Sequence, residues 1–443
     1  MKLPFSLTFL LLTSLASAQT PPPSTTLFTN VRIFDGKSDA LSAPMNVLIR
    51  GNTIAKITPD PIPTDKRGDT KIIDGTNKTL MPGLIDNHVH LFMGASSQAQ
   101  MLALNAKPEE MHARAAKEAE AMLMRGFTAV RDVGGPVFDL KKSIDGGKSS
   151  GPRIYPSGAM VSQTSGHGDS RTPDEKSRRF FGKPSKGELL GVNFIADGRD
   201  EVLTATRENL RYGATQIKVM AGGGAASDYD PLDVTQYTLD EMKAAVEAAD
   251  DWGTYVTVHA YTAKAVRRAV EAGVKCIEHG QLLDEDTIKM LGEKGIWLSL
   301  QVLDPAPPTA LENVRLKKQQ VVDGTNNAYQ WAKKHHVKLA WGSDFLFNPA
   351  QNKNQNTDLL KLKQWFTPAE ILKMATHDNA QLLALSGPRN PYPGKLGIVE
   401  EGAMADLLLV DGDPIANLEI LSDPAKNLLA IMKDGQLLKN VSP

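Results

Sequence analysis

Between Leu84 and Asp344, short apolar runs alternate with longer Ala- and Glu-rich amphipathic stretches. The runs are Leu84 to His90, Thr128 to Asp132, Arg153 to Ser157, Gln216 to Met220, Tyr255 to His259, Cys276 to His279, Trp297 to Leu300 and Lys338 to Asp344. They are short and apolar, and several end in turn signals such as Gly134-Gly135 and Gly222-Gly223-Gly224, which makes them strands. The intervening stretches carry helix punctuation. Gly126 stands at the C-cap position of Glu109 to Arg125, and Thr238-Leu239-Asp240-Glu241 has the capping-box pattern. Ala263 to Ala272 is another helix, and Thr367-Pro368 sets an N-cap and first position for Ala369 to Leu385. Eight strand–helix repeats over residues 81–385 predict an α/β fold, a (β/α)8 TIM barrel.

The flanks read differently. Thr29 to Gly36 is a strand and turn, Asn46 to Ile57 a hairpin around Gly51-Asn52, and Lys71 to Asp74 a further strand. After Leu396, Gly397 to Val399 and Ala405 to Asp411 read as strands, and Leu429 to Leu437 as a hairpin turning at Asp434-Gly435. Neither flank can bury a core alone, so residues 19–80 and 386–443 are expected to join into one discontinuous β domain. Met1 to Ala18 has a basic start, an apolar run and a small-residue Ala16-Ser17-Ala18 end, the pattern of a cleavable signal peptide. A secreted or periplasmic location follows, with no membrane association after cleavage.

Composition narrows the classes. With 443 residues, 41% hydrophobic and 23% charged, the chain is globular. A net charge of -1 gives no reason to expect nucleic acid or an anionic membrane as partner. Cys276 is the single cysteine, which excludes an intrachain disulfide and a Cys-rich zinc site.

The chemistry lies at the strand ends, where a barrel places its function. His88 and His90 share one strand face because side chains alternate. Lys218, His259, His279 and Asp344 end later strands on the same rim. Four imidazoles and a carboxylate suit zinc or a similar divalent ion. Burial would neutralise Lys218, and a neutral amine captures carbon dioxide as a carbamate, an anion able to bridge two ions about 3.5–4 Å apart. Water activated between the ions would be the nucleophile, with Asp344 taking its proton and passing it to the leaving amine.

The segments PGLIDNHVH (82–90), QIKVMAGGG (216–224), VTVHAYT (256–262), CIEHG (276–280), WGSD (341–344), TPAEILKMATHDNAQLLAL (367–385) and GIVEEGAMADLLLVDGDP (397–414) together resemble the amidohydrolase superfamily. The resemblance implies a distorted (β/α)8 barrel with a small β-sandwich from both termini. It implies that His88 and His90 bind one metal, that His259 and His279 bind the other, that carboxylated Lys218 bridges, and that Asp344 completes the site. Within the superfamily the chain looks most like the imidazolonepropionase-like group. That group includes Xaa-Pro dipeptidases, and ochratoxin-hydrolysing amidases are among its relatives. The local pieces are SGHGD (165–169), GGGAASDYDPLDVTQYT (222–238) and DFLFNPAQNKNQ (344–355). By analogy His167 would polarise the scissile carbonyl, and Tyr237 or Arg131 would hold a substrate carboxylate.

The expected activity is hydrolysis of dipeptides or N-acyl amino acids, with two divalent ions, zinc for preference, as cofactors and a homo-oligomeric assembly. Lactone or phosphotriester hydrolysis uses the same activated water and is the alternative within the class. An exported binding protein for metal or solute is the alternative outside it, against which Asp344 argues. The stretch Asp169 to Val192 reads as a cover over the site or an oligomer contact.

Overall fold

The structure is a computed structural model that describes residues 24–64, 70–103, 106–227 and 230–441. The expected signal peptide, residues 1–18, lies outside the described residues.

The flanks do meet. Thr25–Ile33 pairs antiparallel with Met45–Arg50 and parallel with Thr70–Asp74 along its first half, then parallel with Lys78–Pro82 at Arg32 and Ile33. Lys78–Pro82 in turn pairs antiparallel with Leu407–Asp411, which continues through Leu428–Lys433 to Gln436–Asn440. Strands from both ends of the chain thus share one eight-stranded sheet. Phe28, Val31, Val47, Ile54, Leu80, Leu407, Leu409 and Met432 form its buried apolar cluster. The two hairpins turn where expected, with Arg50 opposite Thr53 and Lys433 opposite Gln436. Gly435 (φ 71°) is required twice over, because a Cβ there would also fall 1.8 Å from Gly51 O in the other turn. Gly397 to Val399 is not a strand. Gly397 takes φ 71°, which breaks the extended run, and Ile398 and Val399 enter the cluster from a loop.

The alternating region gives parallel strands. Leu84–Val89, Phe127–Asp132 and Arg153–Pro156 form one sheet. Asn193–Ile195, Met160–Ser162, Ile217–Met220, Val256–Thr262, Cys276–Leu282, Trp297–Leu300 and Lys338–Trp341 form a second, paired in that order. Their burial on both faces is what a parallel sheet covered by helices requires. Met160–Ser162 and Asn193–Ile195 escape the pattern reading, since three residues are too few to show a period.

Polar contacts join the two parallel sheets at two places. On one side Thr215 N donates to Pro156 O at 2.8 Å. On the other, Asp344 N donates to His88 O at 2.8 Å. Asn379 clamps this second junction: its Nδ2 donates to Ile85 O (2.7 Å) and Trp341 O (2.9 Å), and its Oδ1 accepts from Trp341 N (3.1 Å). Asn379 lies in the helix expected after Thr367, whose capping box forms with Glu370. That helix is interrupted by a π-helical stretch, Met374–Asp378, just before Asn379. The first and last parallel strands are thereby held side by side with their C-terminal tips at one end.

Candidate active site

His88, His90, Lys218, His259 and His279 are all buried at these strand ends, and Asp344 follows the last strand. Ring centroids lie 5.3 Å apart for His88 and His90, 5.1 Å for His88 and His279, and 4.5 Å for His259 and His279. Asp344 Oδ1 stands 3.2 Å from His88 Nε2 and 3.5 Å from His90 Nε2, and Oδ2 stands 4.0 Å from His279 Nδ1. The charge of Lys218 acts on all four of these histidines and on Glu278. His279 (φ 79°) and Asp344 (φ 51°) both occupy the left-handed region, a strain found where function holds a side chain in place.

Each imidazole has one ring nitrogen held by an acceptor. His88 Nδ1 lies 2.8 Å from Glu278 Oε2, His90 Nδ1 3.1 Å from Gly134 O, His279 Nδ1 2.7 Å from Gln301 Oε1 and His259 Nε2 3.1 Å from Gly223 O. An acceptor there requires a ring N–H, so the opposite nitrogen keeps a lone pair, the arrangement that metal-binding histidines use. Burial lowers the pKa of His90, His259 and His279, the last to about 3. At His88 burial is the largest influence and lowers the pKa, but the charge of Asp344 and hydrogen bonds to Asp344 and Glu278 together raise it. Burial also lowers Lys218, against the pull of Glu278 and Asp344, which favours the neutral amine. Burial alone would raise Asp344, but His88, His90 and His279 hold it well below the carboxylate range. Asp344 Oδ1 is buried without an aligned hydrogen bond, although it faces two imidazoles. That unsatisfied oxygen, beside lone-pair nitrogens, fits a divalent cation.

His167 stands against this cluster. Its ring stacks on His259 with centroids 4.1 Å apart, and its Nδ1 lies 3.1 Å from Asp230 Oδ2. Gly224 permits the approach, since a Cβ there would fall 1.8 Å from the His167 ring. The triple glycine therefore serves close backbone packing at the site. Lys317 fixes the same loop by donating to Gly224 O (2.9 Å) and Asp230 O (3.1 Å).

Two expected substrate-binding residues are buried and bonded within the protein. Arg131 is fully buried: it donates to Glu278 Oε1 (2.6 Å), Asn87 O (2.7 Å) and Tyr255 Oη (3.3 Å), inside the strand layer. Tyr237 is 2% exposed, and its hydroxyl donates to Ala196 O at 2.9 Å. Both side chains are thus committed to partners within the fold. Glu278, Gln301 and Asp86 also belong to the site, although their roles are not apparent from spacing along the chain. Glu278 orients His88 while it neutralises Arg131, and Asp86 accepts from His88 N (3.0 Å) and Ser343 N (3.1 Å). The available signal for Glu278 and Asp86 was an acidic residue inside an apolar strand run, which is costly unless it has partners.

Comparison with known proteins agrees with this geometry. The amidohydrolase family pattern matches residues 79–438. An ochratoxinase of Aspergillus niger is 32% identical over 383 residues, covering 81% of this chain and 75% of that protein. Among solved structures, a prolidase complexed with N-methylphosphonate-L-proline superposes with a TM-score of 0.85 at 32% identity, covering 94% of this chain and 100% of that one. A Xaa-Pro dipeptidase with methionine bound in its active site gives 0.80 at 30% identity, with 94% and 100% covered. With the family pattern spanning most of the chain and the histidine–aspartate cluster in place, the chain belongs to the amidohydrolase family and is a hydrolase acting on C–N bonds.

Proposed function

We propose that this protein is a metal-dependent amide hydrolase that cleaves dipeptides of the Xaa-Pro type or N-acyl amino acids such as ochratoxin A, each with a free carboxylate. The observation that carries this reading is the set of four buried histidines, each presenting one free ring nitrogen, around Lys218 and Asp344. The named activities of the ochratoxinase and the Xaa-Pro dipeptidase support the substrate class. His88 and His90 would hold one ion and His259 and His279 a second. Lys218, carboxylated by carbon dioxide, would lie between them, with zinc as the ion best suited to these donors. Divalent ions bound there supply Lewis-acid activation of water and of the scissile carbonyl.

The chain's own residues do the rest. Asp344, ionised and set between His88, His90 and His279, accepts the proton of the attacking water as the C–O bond forms. It returns that proton to the amide nitrogen as the C–N bond breaks. His167, whose Nδ1 faces Asp230, would polarise the scissile carbonyl in its doubly protonated form, the form that keeps an N–H on the other ring nitrogen for the oxygen on which charge develops. The parallel strands are read as a distorted (β/α)8 barrel over residues 81–385, with a β-sandwich built from 19–80 and 386–443 and an exported mature chain after residue 18. Exposed Phe180 (80%), Phe181 (63%) and Leu189 (74%) favour a homo-oligomer.

The test is incubation of metal-loaded protein with Xaa-Pro dipeptides and N-acyl-phenylalanine, with lactones alongside. Amino acid release that chelation abolishes is expected. Asp344→Asn should lower turnover about 10²–10⁴-fold while much of the metal stays bound. Lactones turned over in preference to amides, or activity that survives chelation, would overturn the reading.

A further inference from the structure

An N-acyl amino acid carries its carboxylate on the carbon bonded to the scissile nitrogen. A donor for that carboxylate, of which a cation is the strongest kind, must therefore sit close to the histidine cluster without belonging to it. Most cations around the site already have partners. Arg131 is committed to Glu278, and Lys317 to the carbonyls of the Gly224 loop. Lys361 donates to Val302 O (3.2 Å) and pairs with Asp304 (2.9 Å) and Asp358 (2.7 Å). Lys318 differs: it is half-buried, with no hydrogen bond or ion pair among the described residues.

Its position is set by the helix Glu312–Lys334. The preceding residue, Lys317, ties this helix to the loop that carries Gly224 and Asp230. Three residues on, Val321 is buried in a cluster with Ala225, Leu232 and Tyr261, and Leu282 and Leu303 pack against it. Tyr261 stacks on His279 with centroids 5.1 Å apart and meets His259 edge-on at 5.2 Å. Positions i and i+3 share a helix face, so Lys318 stands over the side that adjoins these histidines. The charges of Asp304 and Asp344 reach it, while burial lowers its pKa. A partly desolvated ammonium without an acceptor is costly until an anion arrives.

We propose that Lys318 is the counterion for the substrate's α-carboxylate. This rests on the amide-hydrolase reading and assigns the residue that makes a free carboxylate a requirement. Tyr237 and Arg131 are both engaged elsewhere, which leaves this role open for Lys318.

The experiment is calorimetric titration of the metal-loaded protein with L-phenylalanine and with L-phenylalaninamide, for the unmodified chain, Lys318→Met and Lys318→Arg. The unmodified protein should bind the acid about 10–100-fold more tightly than the amide, Lys318→Met should bind both alike, and Lys318→Arg should keep most of the preference. Metal content should be equal in all three. No preference in the unmodified protein, or a preference that survives Lys318→Met, would overturn the assignment. Turnover of N-acetyl-L-phenylalanine by the same proteins separates the two claims. A preference that follows Lys318 without hydrolysis would sink the hydrolase reading and leave the carboxylate site standing. With hydrolysis, Lys318→Met should raise KM about tenfold or more and change kcat little.

Discussion

Two buried arginine–carboxylate pairs in this protein use the same chemistry for different ends. Arg131 and Glu278 meet at 2.6 Å beneath the histidine cluster, both fully buried. Arg153 holds Asp406 through two contacts, 2.7 Å and 3.0 Å, where a parallel strand meets the terminal sheet. What differs is the third partner. The second oxygen of Glu278 takes His88 Nδ1, so its charge both neutralises Arg131 and fixes which nitrogen of His88 faces the site. Arg153 instead reaches Asp434 (2.9 Å), whose turn closes the last hairpin and is half-exposed. Burial would raise Glu278, but Arg131 and His88 hold it well below the carboxylate range. An ion pair is thus tied to catalysis or to architecture by the group its spare oxygen or N–H touches, not by its own strength.

Four measurements test that contrast. Lys218→Ala lies outside both pairs and sets the scale: it should remove the donor proposed to lie between the two ions and lower turnover about 10³-fold or more, read with metal content by elemental analysis. Glu278→Gln should cost about 3–5 kcal/mol in stability, because Arg131 loses its counter-charge, and also about 10–100-fold in metal affinity. Equilibrium unfolding and metal titration read the two losses separately, and full metal affinity in this variant would erase the distinction drawn here. Arg153→Met should destabilise by about 3 kcal/mol through the stranded carboxylates, yet leave metal content and turnover per folded molecule unchanged. A loss of activity per folded molecule would show that the two regions are coupled. Asp434→Asn should cost under about 1 kcal/mol, since the group is half-exposed. Its pKa responds to burial, which raises it, and to the stronger opposing pull of Arg153 and Asn52, which leaves it below 3.8. A carboxyl lowered on folding adds stability above its ordinary pKa and loses it as pH falls through the lowered value. The cost of Asp434→Asn should therefore be present at neutral pH and fade below about pH 4.

Much of this was readable in the chain itself, because it is local. The i, i+2 spacing of His88 and His90, the capping boxes at Thr238 and Thr367 and the two-residue turns at Gly51-Asn52 and Asp434-Gly435 depend on neighbours a few positions away. So does the placing of Lys218, His259 and His279 at the ends of apolar runs. By itself the sequence determined a metal-suited donor set on parallel strands, and that an alternating region is flanked by β segments. The tertiary structure alone decided which polar residues work inward. Arg131 read as a substrate ligand because its partner Glu278 is 147 positions away, and Asp406, which fixes Arg153, is 253 away. The Tyr237 hydroxyl is engaged by a carbonyl 41 residues distant, while Lys318 is set apart by having no such partner among the described residues. A buried charge is stable only when something answers it, and which residue answers is settled by folding rather than by spacing.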